Sequence, residues 1–290
     1  MSTAERGLQA VRHAYAQQTL ADAKVVDERL QSAFASVRRE AFLPPGPWPV
    51  LQLRDGTYRN TPDGNPAHLY TDDLVGIAPE RGINNGQPRL HAELLHAAAI
   101  RAGEHVVHVG AGAGYYSAIM AELAGNDGRV TAIEFAGDLA AKATTNLSNR
   151  PNVTVIHGDG SVAAFDDADV IYVNAGATRP ADNWLDRLKF GGRLILPLTT
   201  NEAFAPVPAA DVRRGGVFRI IRANDGFLAR WISGVAIYPC EGMRDPVSER
   251  ALAAAFVGGG WERVTRLVRR DDVPAAECWL KGPGWCLTYS

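Results

Sequence analysis

The sequence predicts a doubly wound α/β fold, in which helices cover both faces of a largely parallel sheet. Short apolar runs rich in β-branched residues alternate with helical stretches, a pattern typical of buried parallel strands. These runs occupy residues 105–109, 130–134, 153–156, 170–173 and 193–196. Two later runs, at residues 217–222 and 227–237, flank Asn224-Asp225-Gly226, whose turn chemistry favours an antiparallel hairpin. We therefore expect a seven-stranded sheet that carries this hairpin at one edge.

The composition excludes several classes of protein. The chain has 290 residues, with 30 Lys+Arg against 32 Asp+Glu and a formal net charge of −2. This balance argues against nucleic-acid binding through an overall positive field. No apolar run is long enough to span a membrane or to form a signal peptide, so we expect a cytoplasmic protein without a membrane partner. The three cysteines form no CxxC pair, so neither a disulfide framework nor a metal site is expected.

The N-terminal region, residues 1–86, is predicted to contain helices followed by a long loop. Residues 1–43 have a helical pattern, and Asp27 stands where it can cap a helix that carries an apolar stripe. Prolines from Pro44 onward end that pattern. Residues 44–86 are rich in Pro, Gly, Asn and Asp, and so long an irregular stretch is more often functional than a linker.

Residues 87–244 are predicted to form the core that binds a ligand, and residues 245–290 a small C-terminal α+β appendage. The first core helix is expected to begin at Pro88 and to end at Gly103. The appendage is expected to contain one helix, at residues 248–256, and three short strands. Its apolar residues are expected to form its own core; a partner surface or a cover over the ligand cleft is the alternative. These residues are Trp279, Trp285 and Leu287.

The strongest local signal is a glycine-rich turn between a strand and a helix, Gly110-Ala-Gly112-Ala-Gly114. Glycines let the backbone approach a ligand closely, and the helix N-terminus supplies unpaired N–H groups. Glu134 ends the next predicted strand, where a carboxylate can accept hydrogen bonds from two ribose hydroxyls. The combination predicts an adenosine-bearing ligand at the carboxyl edge of the sheet.

The spacing of the glycines indicates which ligand this is. The dinucleotide fingerprint G-x-G-x-x-G needs a third small residue, but Tyr115 or Ser117 stands at that position. The spacing present, G-x-G-x-G, is the usual form for S-adenosylmethionine. Asp159, in Gly158-Asp-Gly160, follows the third strand and can accept an adenine amino proton, and Asn174 follows the fourth strand at the same edge. The candidate cofactor-binding residues are Gly110, Ala111, Gly112, Gly114, Tyr115, Glu134, Phe135, Asp159, Gly160 and Asn174.

From about Gln18 to Arg244 the sequence resembles the protein-L-isoaspartate O-methyltransferases. The specific motifs are Arg39-Glu-Ala-Phe-Leu-Pro44 and Gly82-Ile-Asn-Asn-Gly-Gln-Pro88, joined by the glycine-rich turn, Glu134, Gly158-Asp-Gly160 and a run that ends at Pro197. The resemblance implies a Rossmann-like methyltransferase fold, S-adenosylmethionine as cofactor, and repair of isomerised aspartyl residues by methylation of their carboxylates.

Two departures from the family pattern stand out. Aligned on Gly82 and Pro88, the chain has Asn84 and Gly86 where the family has Thr and Ser, and the family's Ser hydroxyl is thought to position the substrate carboxylate. The resemblance makes Asn84, Asn85 and Gly86 the candidate catalytic residues of this substrate loop. His108 stands where the family has an acid that helps to hold the methionine amine of the cofactor. An ordinary packing histidine at the edge of the core is an equally favoured interpretation of this residue.

The chemistry of methyl transfer leaves the acceptor open. A carboxylate with a pKa of about 4 is already ionised at neutral pH and needs no general base. An amine or hydroxyl acceptor usually needs one, and the nearest candidates are His91 and His96, for which packing or solvent-side positions are the simpler expectation.

The leading hypothesis is therefore an S-adenosylmethionine-dependent O-methyltransferase acting on a carboxylate of an isoaspartyl-type peptide or protein. Two alternatives remain at this point. One is a methyltransferase of the same fold that acts on a small molecule or a modified peptide. The other is a non-catalytic cofactor-binding module. The oligomeric state is left open.

Overall fold

The computed structural model describes residues 3–200 and 215–290. The helices are α1 (Thr3–Asp22), α2 (Glu28–Ser36), α3 (Pro88–Ala98), α4 (Tyr115–Ala124), α5 (Gly137–Asn146), α6 (Asp182–Asp186) and α7 (Pro246–Gly258). The strands are β1 (Pro49–Leu51), β2 (Tyr58–Asn60), β3 (Gly76–Ala78), β4 (Ile83–Asn84), β5 (His105–Val109), β6 (Arg129–Glu134), β7 (Val153–His157), β8 (Ala168–Val173), β9 (Leu188–Thr199), β10 (Gly215–Ala223), β11 (Gly226–Gly234), β12 (Arg266–Val268), β13 (Cys278–Gly282) and β14 (Trp285–Thr288).

The chain divides into two compact units. The first contains Met1–Gly103 and Ala111–His157, and the second contains Glu104–Gly110 and Gly158–Ser290. The chain therefore passes from the second unit into the first inside the glycine-rich turn, between Gly110 and Ala111.

The first unit packs helices α1 to α5 with the parallel pair β6 and β7. The pair is aligned from Val130 opposite Val153 to Glu134 opposite His157. Nearly every residue of α4 is buried, including Ile119 and Met120 with no exposed surface. This helix therefore lies at the centre of the unit, and its first residue directly follows the glycine-rich turn.

The predicted start of α2 is confirmed, whereas two predicted helix ends are wrong. The Asp27 side chain accepts a hydrogen bond from the Leu30 N–H at 3.0 Å and caps the helix. The helical pattern does not continue to residue 43, because α2 ends at Ser36 and a separate 3-10 turn follows at Arg39–Phe42. Helix α3 ends before Ala99, which adopts a left-handed conformation (φ 49°) and takes the role that a glycine usually fills.

The second unit is built on a sheet that contains both parallel and antiparallel strand pairs. Within this unit the order is β13-β14-β12-β11-β10-β9-β8-β5, with β5, β8 and β9 parallel and the remaining pairs antiparallel. The predicted hairpin is confirmed, with Arg222 opposite Phe227 and Ala223 opposite Gly226. It is not an edge, because β12 pairs with β11 and extends the sheet. The described residues of this unit alone supply eight strands, more than the seven expected for the whole sheet.

The C-terminal residues include a disulfide that the sequence analysis did not expect. Cys278 and Cys286 lie on the adjacent strands β13 and β14, with Cα atoms 6.0 Å apart, and their sulfurs are bonded. Cys240 is buried as a free thiol. The expectation from the missing CxxC pair was wrong because a tight hairpin brings residues eight positions apart into contact, so a disulfide does not need that spacing.

No helix of the described residues combines the length and the apolar character that a membrane span needs. The longest, α1, has 20 residues and carries several charged side chains.

The largely buried Arg12 of α1 forms ion pairs with Glu5 at 2.7 Å and with Glu40 at 3.3 Å. The Arg12–Glu40 pair connects α1 to the 3-10 turn that follows α2.

Candidate functional site

The glycine-rich turn runs from the end of β5 to the start of α4. Gly110, Gly112 and Gly114 have φ angles of 78°, 57° and 96°, a left-handed region that glycine occupies without strain. Gly114 is the residue that precedes the first turn of α4. The chain therefore turns from β5 into α4 through glycines in conformations that other residues rarely adopt.

Glu134, at the end of β6, is hydrogen-bonded to this turn. Its Oε2 accepts a hydrogen bond from the Gly112 N–H at 2.7 Å, and its Oε1 accepts one from the Ala136 N–H at 2.9 Å. Only 8% of Glu134 is exposed, and this burial raises the pKa of its carboxyl group. Each carboxylate oxygen keeps a second lone pair, so both can accept a further hydrogen bond from a ligand.

Phe135 follows Glu134, and Tyr115 follows the glycine-rich turn. The two side chains differ in their exposure to solvent. Phe135 is 53% exposed, so its ring is available to a flat ligand. Tyr115 is buried, with its ring edge-on to Phe42 and Tyr116. Its side chain belongs to the core of the first unit, which leaves its backbone as the group that faces the turn.

In the second unit, Asn174 joins the end of β8 to the end of β5. Its N–H donates to the Val109 carbonyl at 2.8 Å, and its Nδ2 donates to the Gly110 carbonyl at 3.2 Å. A Cβ at Gly110 would lie 3.1 Å from the Asn174 carbonyl oxygen. The two residues therefore approach each other closely where these parallel strands end.

Asp159 and Gly160 lie beside the same strand ends. A Cβ at Gly160 would lie 2.4 Å from Val109 Cγ1, which requires a glycine. The Asp159 Oδ1 accepts a hydrogen bond from the Ser161 N–H at 2.8 Å. Its Oδ2 lies 2.2 Å from where a Cβ of Gly242 would stand, a contact that the sequence analysis missed because nothing in a sequence pattern relates positions so far apart.

The segment of residues 82–88, which we call the acceptor loop, is held by the fully buried Arg39. The Arg39 guanidinium donates to the Asn85 Oδ1 at 3.0 Å and to three backbone carbonyls at 2.6–2.9 Å. The carbonyls are those of Leu69, Thr71 and Asp73. Asn85 Oδ1 also accepts from the Val75 N–H at 3.2 Å. The sequence motif that contains Arg39 is thus explained by the loop that it orders.

The other predicted loop residues have distinct contacts. Asn84 Oδ1 accepts a hydrogen bond from the Tyr58 hydroxyl at 2.8 Å. The Gly86 carbonyl accepts one from the Tyr116 hydroxyl at 3.3 Å. Since Tyr116 lies in the first turn of α4, this hydrogen bond places the acceptor loop at the N-terminal end of α4, directly after the glycine-rich turn.

The histidines singled out from the sequence are mainly packing residues. His108 has no exposed surface and meets the Tyr172 ring edge-on at 5.6 Å. Burial lowers the pKa of His108 to about 3, so it is neutral at physiological pH. His91 is 1% exposed and stacks on Tyr116, with ring centroids 3.6 Å apart. His96 lies at the surface, with its Nδ1 3.4 Å from Asp27 Oδ2.

The residues of the first unit fit S-adenosylmethionine by their chemistry. A Cβ at Gly112 would meet only Ile77 Cδ1, at 3.5 Å, so the glycine leaves space beside the Glu134 carboxylate. The carboxylate offers acceptors for ribose hydroxyls, and the exposed Phe135 ring offers a surface for a base. The turn backbone is free of side chains at the glycines that a ligand would approach.

Two solved structures share this fold. One is a protein-L-isoaspartate O-methyltransferase with a TM-score of 0.64, 22% identity, and coverage of 81% of this chain and 69% of that chain. The other, from Plasmodium falciparum, is assigned to the same class and is in complex with S-adenosyl-L-homocysteine; its TM-score is 0.60, with 17% identity and coverage of 79% and 98%. The predicted doubly wound, Rossmann-like α/β fold class is thereby confirmed.

The glycine-rich turn and the acid at the end of the next strand fit the class of methyltransferases that use S-adenosylmethionine, and a family model of that class matches more than half of the chain. The family model for protein-L-isoaspartate(D-aspartate) O-methyltransferases matches residues 13–210. The chain belongs to that family, and the resemblance inferred from its motifs is confirmed. It is therefore an enzyme of the transferase class with S-adenosylmethionine as cofactor.

Curated relatives agree with this assignment. A protein-L-isoaspartate O-methyltransferase of Ignicoccus hospitalis is 30% identical over 224 residues, which cover 76% of this chain and 92% of the relative. One of Archaeoglobus fulgidus is 34% identical over 158 residues, which cover 50% of this chain and 73% of the relative. The family match ends at residue 210, so the hairpin and the C-terminal strands lie outside it.

Proposed function

We propose that this enzyme transfers a methyl group from S-adenosylmethionine to a carboxylate of an isoaspartyl residue in a peptide or protein, as a step of protein repair. The names of its relatives support this acceptor. The structural observation that carries the proposal is the hydrogen bond from Tyr116 to the Gly86 carbonyl. It holds the acceptor loop at the N-terminus of α4, directly after the turn that fits the cofactor.

We assign the cofactor contacts to the strand ends and the turn. When bound, S-adenosylmethionine supplies a methyl group that is attached to a positively charged sulfur. That sulfur is the leaving group when the methyl group is transferred. Glu134 accepts hydrogen bonds from the ribose hydroxyls, and Phe135 packs on the adenine. Backbone groups of the turn line the remainder. The proposed contacts are Gly110, Ala111, Gly112, Gly114, Tyr115, Glu134, Phe135, Asp159, Gly160 and Asn174.

The acceptor needs orientation more than activation. A carboxylate is ionised at neutral pH, so no side chain has to remove a proton before the methyl group is transferred. Asn84, Asn85 and Gly86 are assigned to orient it, because Tyr58, Arg39 and Tyr116 fix them in place. A fixed geometry contributes to the rate by prealigning the reacting atoms.

By function we divide the chain into three parts. Residues 1–86 supply the N-terminal helices and most of the acceptor loop, residues 87–244 form the methyltransferase core, and residues 245–290 form a C-terminal addition. We further propose a cytoplasmic enzyme whose partner is the methyl acceptor, with no nucleic-acid or membrane partner.

A second acceptor class is favoured by one observation. Gly86 stands where the family has a serine, and the loop therefore lacks that hydroxyl. A methyltransferase acting on a small molecule or a modified peptide would be compatible with such a loop, and the buried His91 lies beside Gly86.

The test is methyl-ester formation on a synthetic peptide that contains L-isoaspartate, measured as the methanol released on later ester hydrolysis. The matched control is the same sequence with an ordinary aspartyl linkage. We expect methanol from the isoaspartyl peptide and little from the control. Enzyme that binds S-adenosylhomocysteine but releases no methanol from either peptide would contradict this acceptor and favour the second class.

A further inference from the structure

The ring of His91, on α3, fills the space beside Gly86 of the acceptor loop. A Cβ at Gly86 would lie 2.4 Å from His91 Nε2, 2.8 Å from His91 Cδ2 and 2.9 Å from Tyr116 Cε2. The imidazole therefore fills the volume that a side chain at position 86 would take. A larger residue at position 86 therefore requires the His91 ring to move or to be replaced by a smaller side chain.

Tyr116 contacts both Gly86 and His91. Its hydroxyl donates to the Gly86 carbonyl at 3.3 Å. Its ring stacks on His91 with centroids 3.6 Å apart and an interplanar angle of 17°. Gly86 has a φ of 80°, a left-handed conformation, and the carbonyl contact and the ring together hold it there.

The orientation of Gly86 determines what the loop offers to an acceptor. The Gly86 carbonyl is engaged by Tyr116, whereas its N–H donates to no acceptor in the part of the chain that the structure describes. A backbone N–H is a suitable donor to a carboxylate oxygen. Because glycine carries no side chain, this N–H is the polar group that position 86 can supply.

We propose that His91 is a positioning residue of the acceptor loop, which holds Gly86 so that its N–H contacts the acceptor carboxylate. The inference rests on the proposed function and deepens it, since it names how this loop works without a hydroxyl. His91 acts through Gly86 and is not itself a catalytic residue.

The test compares four variants: Gly86→Ala, His91→Ala, the double variant, and Gly103→Ala. Gly103 is the matched control, because its φ of 81° is nearly that of Gly86 while a Cβ there would meet nothing within 4 Å. The readouts are the KM and kcat for the isoaspartyl peptide and the affinity for S-adenosylhomocysteine.

We expect Gly86→Ala to raise the peptide KM at least about tenfold and His91→Ala about fivefold, since each misplaces the N–H. In the double variant the alanine Cβ enters the space that the ring has left, so the KM should rise less than the product of the single effects. Gly103→Ala should keep the wild-type KM. S-adenosylhomocysteine affinity should stay within about twofold throughout, which a general loss of structure would not allow.

The possible failures are distinguishable. A wild type that binds S-adenosylhomocysteine but methylates no isoaspartyl peptide contradicts the proposed function. An active wild type overturns this inference alone if His91→Ala keeps its peptide KM, or if Gly86→Ala behaves like Gly103→Ala. If His91→Ala does not fold, His91→Gln keeps a side chain of similar reach without the stacked ring, and the same rise in KM is expected.

Discussion

The Glu134 carboxylate accepts a hydrogen bond from the Gly112 N–H at 2.7 Å. This contact joins the acid at the end of β6 to the middle of the glycine-rich turn. It arranges a buried acceptor beside backbone that carries no side chain, and this is the arrangement that a ribose needs. Cofactor binding at this turn therefore depends on Gly112 and Glu134.

We predict that Glu134→Ala weakens binding of S-adenosylhomocysteine by about 1–3 kcal/mol, roughly 5- to 150-fold, because the ribose hydroxyls lose their charged acceptor. Isothermal titration calorimetry measures this change. Glu122→Ala is the matched control, since Glu122 is an exposed glutamate on α4 that pairs with Arg150. Wild-type affinity in Glu134→Ala would show that the ribose binds elsewhere.

His108 should make the protein less stable in acid. Burial lowers its folded-state pKa from 6.5 to about 3, so between these values the unfolded chain binds a proton that the folded protein excludes. Stability should therefore fall as pH decreases through this window, by about 2 kcal/mol from this residue at pH 5.

The measurement is the free energy of unfolding of wild type and His108→Leu, from urea titrations at pH 7 and pH 5. We expect the difference between the two pH values to be smaller in the variant. His13→Leu, at an exposed position, controls for the added leucine. An equal pH dependence in His108→Leu and wild type would show that His108 is not buried in the neutral form.

Arg39→Lys should destabilise the protein by about 2–4 kcal/mol, although the charge is kept. The planar guanidinium reaches three carbonyls and Asn85 at once, and a lysine ammonium cannot reproduce this fork. Urea unfolding measures the loss, and hydrogen exchange should show faster exchange in residues 69–85. Arg38→Lys, at an exposed neighbour, should behave as wild type, and an unchanged Arg39→Lys would contradict the role assigned to the buried fork.

The fold was more predictable than the site. The bounds of β5 and the hairpin at Asn224-Asp225-Gly226 agree with the sequence because each depends on a local pattern of apolar residues or on turn chemistry. Contacts between distant residues have no such local sign. The approach of Gly242 to Asp159 is one example, and the burial of Arg39 is another, because a charged residue is normally expected at the surface.

The disulfide was missed for a related reason. Its two cysteines lie on strands whose pairing register sets the distance between them, and the register is a property of the folded hairpin. The acceptor loop was located from its resemblance to the family, but the ring of His91 beside Gly86 became visible only in three dimensions.

The Cys278–Cys286 bond is expected to stabilise the C-terminal hairpin by about 2–3 kcal/mol, as estimated for a short closed loop. Thiol titration of denatured protein should find one free thiol before reduction and three after it, because Cys240 is free. The paired substitution of Cys278 and Cys286 by serine should lower the free energy of unfolding by that amount. Three free thiols in the unreduced protein would contradict the bond.

We expect the glycine-rich turn and Glu134 to bind the adenosyl group of S-adenosylmethionine. A crystal structure of the protein with S-adenosylhomocysteine would show where the adenosyl group lies. We predict ribose hydroxyls within hydrogen-bonding distance of the Glu134 carboxylate and the ligand lying along residues 110–114. A ligand bound away from this turn, or a Glu134 side chain that makes no contact with the ribose, would contradict the claim.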